Sequence, residues 1–201
     1  MSKGERTREA ILERAVVLFN QKGYTGVSLA DIMEATGLQK GGIYNHFNSK
    51  ESLAVEAFDY GFKVTGRAML ESVKGVTSPI ERLKGFVRFF YDYYRNPPLT
   101  GGCIVLNTAI DADDSNPELK QRAQQAMEAW RAMICRAIRR GIDQYQIKDT
   151  VDPEYLSTVI ISTLEGGIMM SKLYDDGRHV DYAVTHLLTY IESTIERHDN
   201  G

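Results

Sequence analysis

Apolar residues recur along this chain at spacings of three and four. Strict apolar–polar alternation bounded by turn signals does not occur, so the pattern predicts helices throughout and no strand. A first helix spans roughly Arg6 to Lys22, with Ile11, Ala15, Leu18 and Phe19 on one face and Gly23 ending it. Ser28 supplies an N-cap hydroxyl and Asp31, three residues on, a capping-box-like partner. Leu29, Ile32 and Met33 form the apolar face of that short second helix, and Gly37 stops it where a positive φ is needed. Leu38 restarts the pattern, and Ile43 and Phe47 complete the face of a third helix. Asn48-Ser49 caps a fourth helix, which runs from about Lys50 to Val73.

Gly75 through Pro79 reads as a boundary, with Ser78-Pro79 opening the next helix in favoured N-cap and N1 positions. That helix carries Leu83, Phe86, Phe89, Phe90, Tyr93 and Tyr94 as an aromatic stripe, and Asn96-Pro97-Pro98 ends it. Asn116-Pro117 begins a long helix, out to about Tyr145, on which Leu119, Ala123, Met127, Trp130 and Ile134 share a face. Asp152-Pro153 starts the eighth helix, and Val180 to Ile195 fits the ninth. The expected fold is all-α, about nine helices, with a small N-terminal domain over residues 5–65 and a larger C-terminal one over 76–197.

Charge changes the picture at one place. The 201-residue chain carries a net −3, yet residues 1–50 hold 7 Lys and Arg against 5 Asp and Glu, and no acidic residue lies between Glu34 and Glu51. No apolar run can span a bilayer, and two cysteines without a secretory leader suggest a reducing cytoplasm rather than a disulfide framework.

The helices near residues 28–47 therefore present a neutral-to-basic edge on an acidic protein, as docking against phosphate requires. Gln39, Lys40, Gly41, Tyr44, Asn45 and His46 fall on the outward side of the third helix. A helix-turn-helix points the N-terminal residues of its second helix at base edges in the major groove. Gln39 and Lys40 stand at that end, where an amide and an ammonium can read adenine or guanine. Gly41 and Gly42 each weaken a helix by roughly 1 kcal/mol relative to alanine, a cost that makes sense where backbone must approach DNA. Lys50 and the free N–H groups of the fourth helix would face a phosphate.

From about Arg6 to Phe58, through GYTGVSLADI, ATGLQKGGIYNHF and SKESL, the chain resembles the TetR family of bacterial transcriptional regulators, TetR/AcrR type. The resemblance implies a homodimer that binds a double-stranded DNA operator when ligand-free and lets go when a small-molecule effector enters the C-terminal domain. It also places Ser28, Lys40, Gly41, Tyr44, His46 and Lys50 at DNA-contacting positions, with Tyr44 and Lys50 on phosphate. Gly42 departs from the pattern, since many relatives carry a base-touching side chain there. Readout would then lean on Gln39, Lys40 and Asn45, or on DNA shape. A relative that activates transcription or organises DNA is the alternative.

Two further surfaces follow. Val180, Val184, Leu187, Leu188, Ile191 and Ile195, with Leu156, Val159, Ile160, Thr163, Leu164, Gly166 and Gly167, suit a dimer interface built from the last two helices. Two reading heads about 34–36 Å apart match adjacent major-groove faces, so the operator should be an inverted repeat. Phe86, Phe89, Phe90, Tyr93, Cys103, Asn107, Met127, Trp130 and Met169 are candidates to line an apolar effector pocket. Cys103, at a helix start and with Lys172 as a possible cation nearby, is also a candidate sensor of oxidants or thiol-reactive compounds. Catalysis is not expected, and neither is a cofactor or a metal. Asp111, Asp113 and Asp114 read as a charge cluster beside a helix start. Phosphate loops, spaced histidine pairs and Ser/His/Asp signatures do not occur.

Overall fold

A computed structural model of the chain describes residues 2–91 and 93–197. Among them it forms nine α-helices, one π-helical turn and no strand, as the spacing of apolar residues predicts. The helices are α1 (Lys3–Gly26), α2 (Leu29–Thr36), α3 (Lys40–Tyr44), α4 (Lys50–Ser72), α5 (Pro79–Phe89), α6 (Ile104–Asp111), α7 (Pro117–Asp143), α8 (Pro153–Tyr174) and α9 (Arg178–Tyr190). The π turn Ile191–Ile195 follows α9 directly. Among the described residues two compact units emerge, one of residues 2–66 with 98–126, the other of 67–91 and 93–97 with 127–197. The division passes through α4 and α7 rather than through the Gly75–Pro79 loop.

The first unit is built on α1. Ile11, Ala15 and Val16 are buried there, and Ile32, Ile43, Phe47 and Leu53 bring the same core to α2, α3 and α4. At α4, Gly61 permits a close approach. A Cβ added to it would lie 2.5 Å from Ile104 of α6 and 2.7 Å from Val16 of α1.

Gly23, with φ 73 and ψ 167, ends the first helical run as the sequence suggests, and a short helical stretch beyond the kink carries α1 on to Gly26. An unbroken helix would pair the Tyr24 amide with the Asn20 carbonyl, four residues back. At the kink both groups find partners on α6 instead. The Tyr24 N–H donates to Asp111 Oδ2 at 2.7 Å, and Asn107 Nδ2 donates to the Asn20 carbonyl at 3.1 Å. Residues 107 and 111 sit one helical turn apart, on the same face of α6. Asn20, buried, answers with its own amide, which donates to the carbonyls of Thr100 and Gly102 at 2.9 and 3.1 Å.

The second unit holds the larger apolar core, through Ile138, Ile147, Leu156, Ile160, Leu164, Val184 and Leu187. Burying each such side chain contributes about 1.5–3 kcal/mol. Ser78 caps α5 and Pro79 takes its first position. Helix α5 is shorter than its aromatic stripe: successive i→i+3 turns replace it after Phe89, so Tyr93 and Tyr94 lie beyond its end. Lys84, with its side chain only 6 % exposed, meets Glu196 at 2.6 Å, Glu81 at 3.3 Å and Glu192 at 3.6 Å. That cluster ties the π turn to α5.

Helices α8 and α9 pack closely on each other. A Cβ on Gly167 would stand 2.9 Å from Ala183, and Val180 N–H donates to Ser171 Oγ at 3.0 Å. Val180, Val184, Leu187, Ile191 and Ile195, read from the sequence as a dimer stripe, are buried inside the protomer with Leu156, Ile160, Leu164 and Gly167. The stripe is wide because α9 is covered by its own chain. The outward face of α8 is a different one, on which Tyr155, Met170 and Leu173 are exposed beside Val159 and Gly166.

Candidate nucleic-acid interface

Helix α2 begins with a complete capping box. Ser28 Oγ accepts from the Asp31 amide at 3.1 Å, and the Asp31 carboxylate accepts from the Ser28 amide at 2.8 Å. Lys22 pairs with that carboxylate at 2.6 Å. The Lys22 ammonium and the Ser28 donors hold Asp31 far below the usual carboxylate range. The one acid at the start of α2 is thereby neutralised by an ammonium from α1. Gly37 ends the helix in the left-handed region at φ 68.

Two residues later Gln39 takes the N-cap of α3, a helix of five residues, with Ile43 buried beneath it. Its outer surface is what the sequence suggested. Gln39, Lys40, Gly41, Tyr44 and Asn45 are exposed, His46 half-buried, and Ser28 exposed one helix away. The Lys40 ammonium lies 5.8 Å from the centre of the Tyr44 ring, one turn on. Neither Gly41 nor Gly42 has a positive φ, and a Cβ on Gly41 would meet nothing within 4 Å. Nothing inside the protein requires glycine at position 41.

Helix α4 opens with Ser49 and Ser52 capping each other, each amide donating to the other's hydroxyl, at 3.2 and 3.1 Å. Lys50, its first residue, sits 4.4 Å over the Tyr24 ring. Burial, then the neighbouring Glu51 carboxylate, raises the Tyr24 phenol above its ordinary value. Tyr24 therefore lies against the first residue of α4. Sequence reading missed it, although it sits inside the GYTG run, because an aromatic after a helix stop looks like core.

The other candidates separate. Phe86, Phe89, Phe90, Tyr93 and Trp130 come together in the second unit: Phe90 lies 5.5 Å from Phe86 and Phe89, 5.4 Å from Tyr93 and 6.3 Å from Trp130 between ring centres. Met127 is half-buried one turn before Trp130. Met169 does not join them: it is 49 % exposed on α8. Asn107 belongs to the first unit, where its amide is engaged by Asn20 and by the Gly101 carbonyl, so it is a clamp rather than a pocket anchor. Cys103 caps α6, its sulfur accepting from the Leu106 amide at 3.5 Å, and it is 1 % exposed. Lys172 is exposed in the last turn of α8. Asp111 caps the Tyr24 amide and Asp113 pairs with Lys120 at 2.8 Å, so two members of the acidic cluster have structural partners. No group of residues able to hold a metal occurs among the described residues.

Two short helices presenting a solvent-facing amide, ammonium and phenol, backed by a helical body, define a helix-turn-helix regulator. Residues 11–57 match the model of the family described as bacterial regulatory proteins, tetR family, and residues 79–187 match the tetracyclin repressor-like C-terminal domain. The chain belongs to the TetR family. It is 40 % identical to a TetR transcriptional regulator of known crystal structure from Chloroflexus aurantiacus J-10-FL, with a TM-score of 0.95 and coverage of 98 % of this chain and 100 % of that one. A TetR-family regulator from Cytophaga hutchinsonii is 32 % identical, with a TM-score of 0.89 over 98 % of both chains. Among curated proteins, the HTH-type transcriptional repressor DhaR of Mycobacterium sp. (strain GP1) is 23 % identical over 180 residues, 89 % of this chain and 88 % of that protein.

Proposed function

We propose that this DNA-binding regulator is an effector-responsive repressor that holds an inverted-repeat operator as a homodimer. The observation that carries the DNA contact is the exposed run Gln39, Lys40, Gly41, Tyr44 and Asn45, with a glycine backbone that nothing in the protein needs. Ser28, His46 and Lys50 complete the contact set. The reading domain takes residues 5–65, and residues 76–197 form the effector-binding and dimerisation domain. A relative named as a repressor, matched over most of its length, supports the direction of control.

For the dimer, the outward face of α8 is the best surface. Tyr155 and Leu173 are 65 % and 70 % exposed there, and Gly166 has open space above it, which lets a partner helix approach. The effector is an apolar or aromatic small molecule held by the Phe86, Phe89, Phe90, Tyr93, Met127 and Trp130 cluster. Cys103 is too enclosed to serve as the trigger. No helix among the described residues is long and apolar enough to cross a membrane, and the protein works in the cytoplasm beside its DNA.

The test is selection of bound duplexes from a random pool, followed by a screen for compounds that release the selected site. A two-fold symmetric site and release by a compound that Trp130→Ala no longer answers are expected. An asymmetric site bound by one subunit, or no enrichment at all, would defeat the proposal.

A further inference from the structure

We infer that Asp111 is a positioning residue for DNA binding, acting through Tyr24 on Lys50. The inference rests on the reading of Lys50 as a phosphate contact. Two contacts within one compact unit make the connection. Asp111 Oδ2 accepts the Tyr24 N–H at 2.7 Å, and the Tyr24 ring lies 4.4 Å under the Lys50 ammonium.

The kink gives these contacts direction. With φ 73 and ψ 167, Gly23 turns the end of α1 out of its helical path, and the amide of Tyr24 loses its partner four residues back. Within α1 the Phe19 ring stacks beside the Tyr24 ring at 6.3 Å between centres, but the Tyr24 amide is held from outside the helix. The fixing group comes from α6, whose carboxylate fills the space where a side chain on residue 23 would stand, 2.6 Å from that ideal Cβ position. Asn107, one turn earlier on α6, takes the other orphaned group, the Asn20 carbonyl. Helix α6 thus completes the broken ladder of α1 from outside, and the backbone it holds, with Phe19 stacked beside the ring, sets Tyr24 beneath Lys50.

A lysine is a flexible point charge with several rotatable bonds, and holding it at one place before DNA arrives saves ordering cost on binding. A cation over an aromatic face at a partly exposed site is worth a small factor, about two- to fivefold per half-site. Asp111 is 61 residues from Lys50 in sequence and sits on a helix outside the helix-turn-helix segment, so no reading of the motif alone would include it.

The experiment measures affinity of the full chain for its selected operator across a salt series, for single variants and for each paired with Lys50→Ala. Lys50→Ala is expected to reduce the magnitude of the salt slope by about 0.9 per half-site. Asp111→Ala and Tyr24→Leu should each weaken binding about two- to fivefold per half-site, and each should have no further effect once Lys50 is alanine. Asp111→Asn, which keeps an acceptor for the amide, and Tyr24→Phe, which keeps the ring, should stay within about twofold of the parent.

Two results overturn the proposal, and they are distinguishable. If Lys50→Ala leaves the slope unchanged, Lys50 is not on phosphate and the proposal falls with that reading. If the slope changes but Asp111→Ala and Tyr24→Leu weaken binding equally with or without Lys50, the phosphate contact stands and Asp111 only holds the turn. Should Asp111→Ala fail to fold, Tyr24→Leu still tests the route, because without an effect of the ring on Lys50 there is nothing for Asp111 to act through.

Discussion

Replacing Gly23 by alanine attacks the kink in α1 from two sides, and the structure gives a magnitude for each. At φ 73 and ψ 167 the residue occupies a region open essentially to glycine alone, and forcing an L side chain into it costs about 1–3 kcal/mol. The new Cβ would also stand 2.6 Å from Asp111 Oδ1 and 3.0 Å from its Cγ. The carboxylate must turn away and give up the Tyr24 amide, a charge-assisted bond worth about 1.5–3 kcal/mol. Asp111 is half-buried and recovers part of its solvation when displaced, which places the total near 2.5–4 kcal/mol. Urea unfolding followed by circular dichroism at fixed protomer concentration reads this directly. The informative control is Gly41→Ala, where φ is negative and no atom lies within 4 Å. It should stabilise the free protein by up to about 1 kcal/mol through helix propensity while weakening DNA binding. A Gly23→Ala protein within 1 kcal/mol of the parent would refute the account of the kink.

Three shorter predictions follow from other parts of the structure. Leu173→Glu, on the exposed face of α8, should leave the helical content unchanged and shift sedimentation toward a single subunit, because a charge buried in a dimer contact costs about 3–5 kcal/mol. Lys84 loses solvation by burial, yet its bonds to Glu196 and Glu81 outweigh that loss and raise its pKa. Its stabilisation is therefore complete below its unfolded value of about 10.4 and declines as pH rises through the higher folded value, so Lys84→Met should flatten the alkaline limb of the stability curve. Cys103 and Cys135, at 1 % and 2 % exposure, should react with iodoacetamide at least about tenfold more slowly in the native protein than in urea. Rapid native labelling at Cys103 would return the thiol to consideration as a sensor.

Local physics made most of the helices legible in the sequence. Ser28 with Asp31, Ser78 with Pro79 and Asp152 with Pro153 are starts that a few neighbouring residues determine, and each begins a helix in the structure. The outward positions of α3 were legible for the same reason, since Ile43 fixes which side of a short helix is inside. Partners far along the chain were not. Whether Val184 and Leu187 pack on α8 or on a second protomer looks the same in periodicity, and so does an inward or outward α8 face that mixes glycine with branched residues. Met169 fell on the wrong side for that reason. Asn107 read as a pocket anchor because a lone amide in an apolar helix suggests a ligand, while its partner Asn20 lies 87 residues away. The link from Asp111 to Tyr24 spans the same distance and has no local signature at all.

The central claim is that the face from Gln39 through His46, with Lys50, lies against duplex DNA, twice per dimer. Its most direct test is equilibrium binding to the selected operator over a salt series, with the stoichiometry counted at saturation. The account predicts two chains per site and a log–log slope that steepens by about 0.9 for each phosphate neutralised, losing roughly one contact's worth per half-site in Lys50→Ala. Affinity that ignores salt, or saturation at one chain per site, would contradict it.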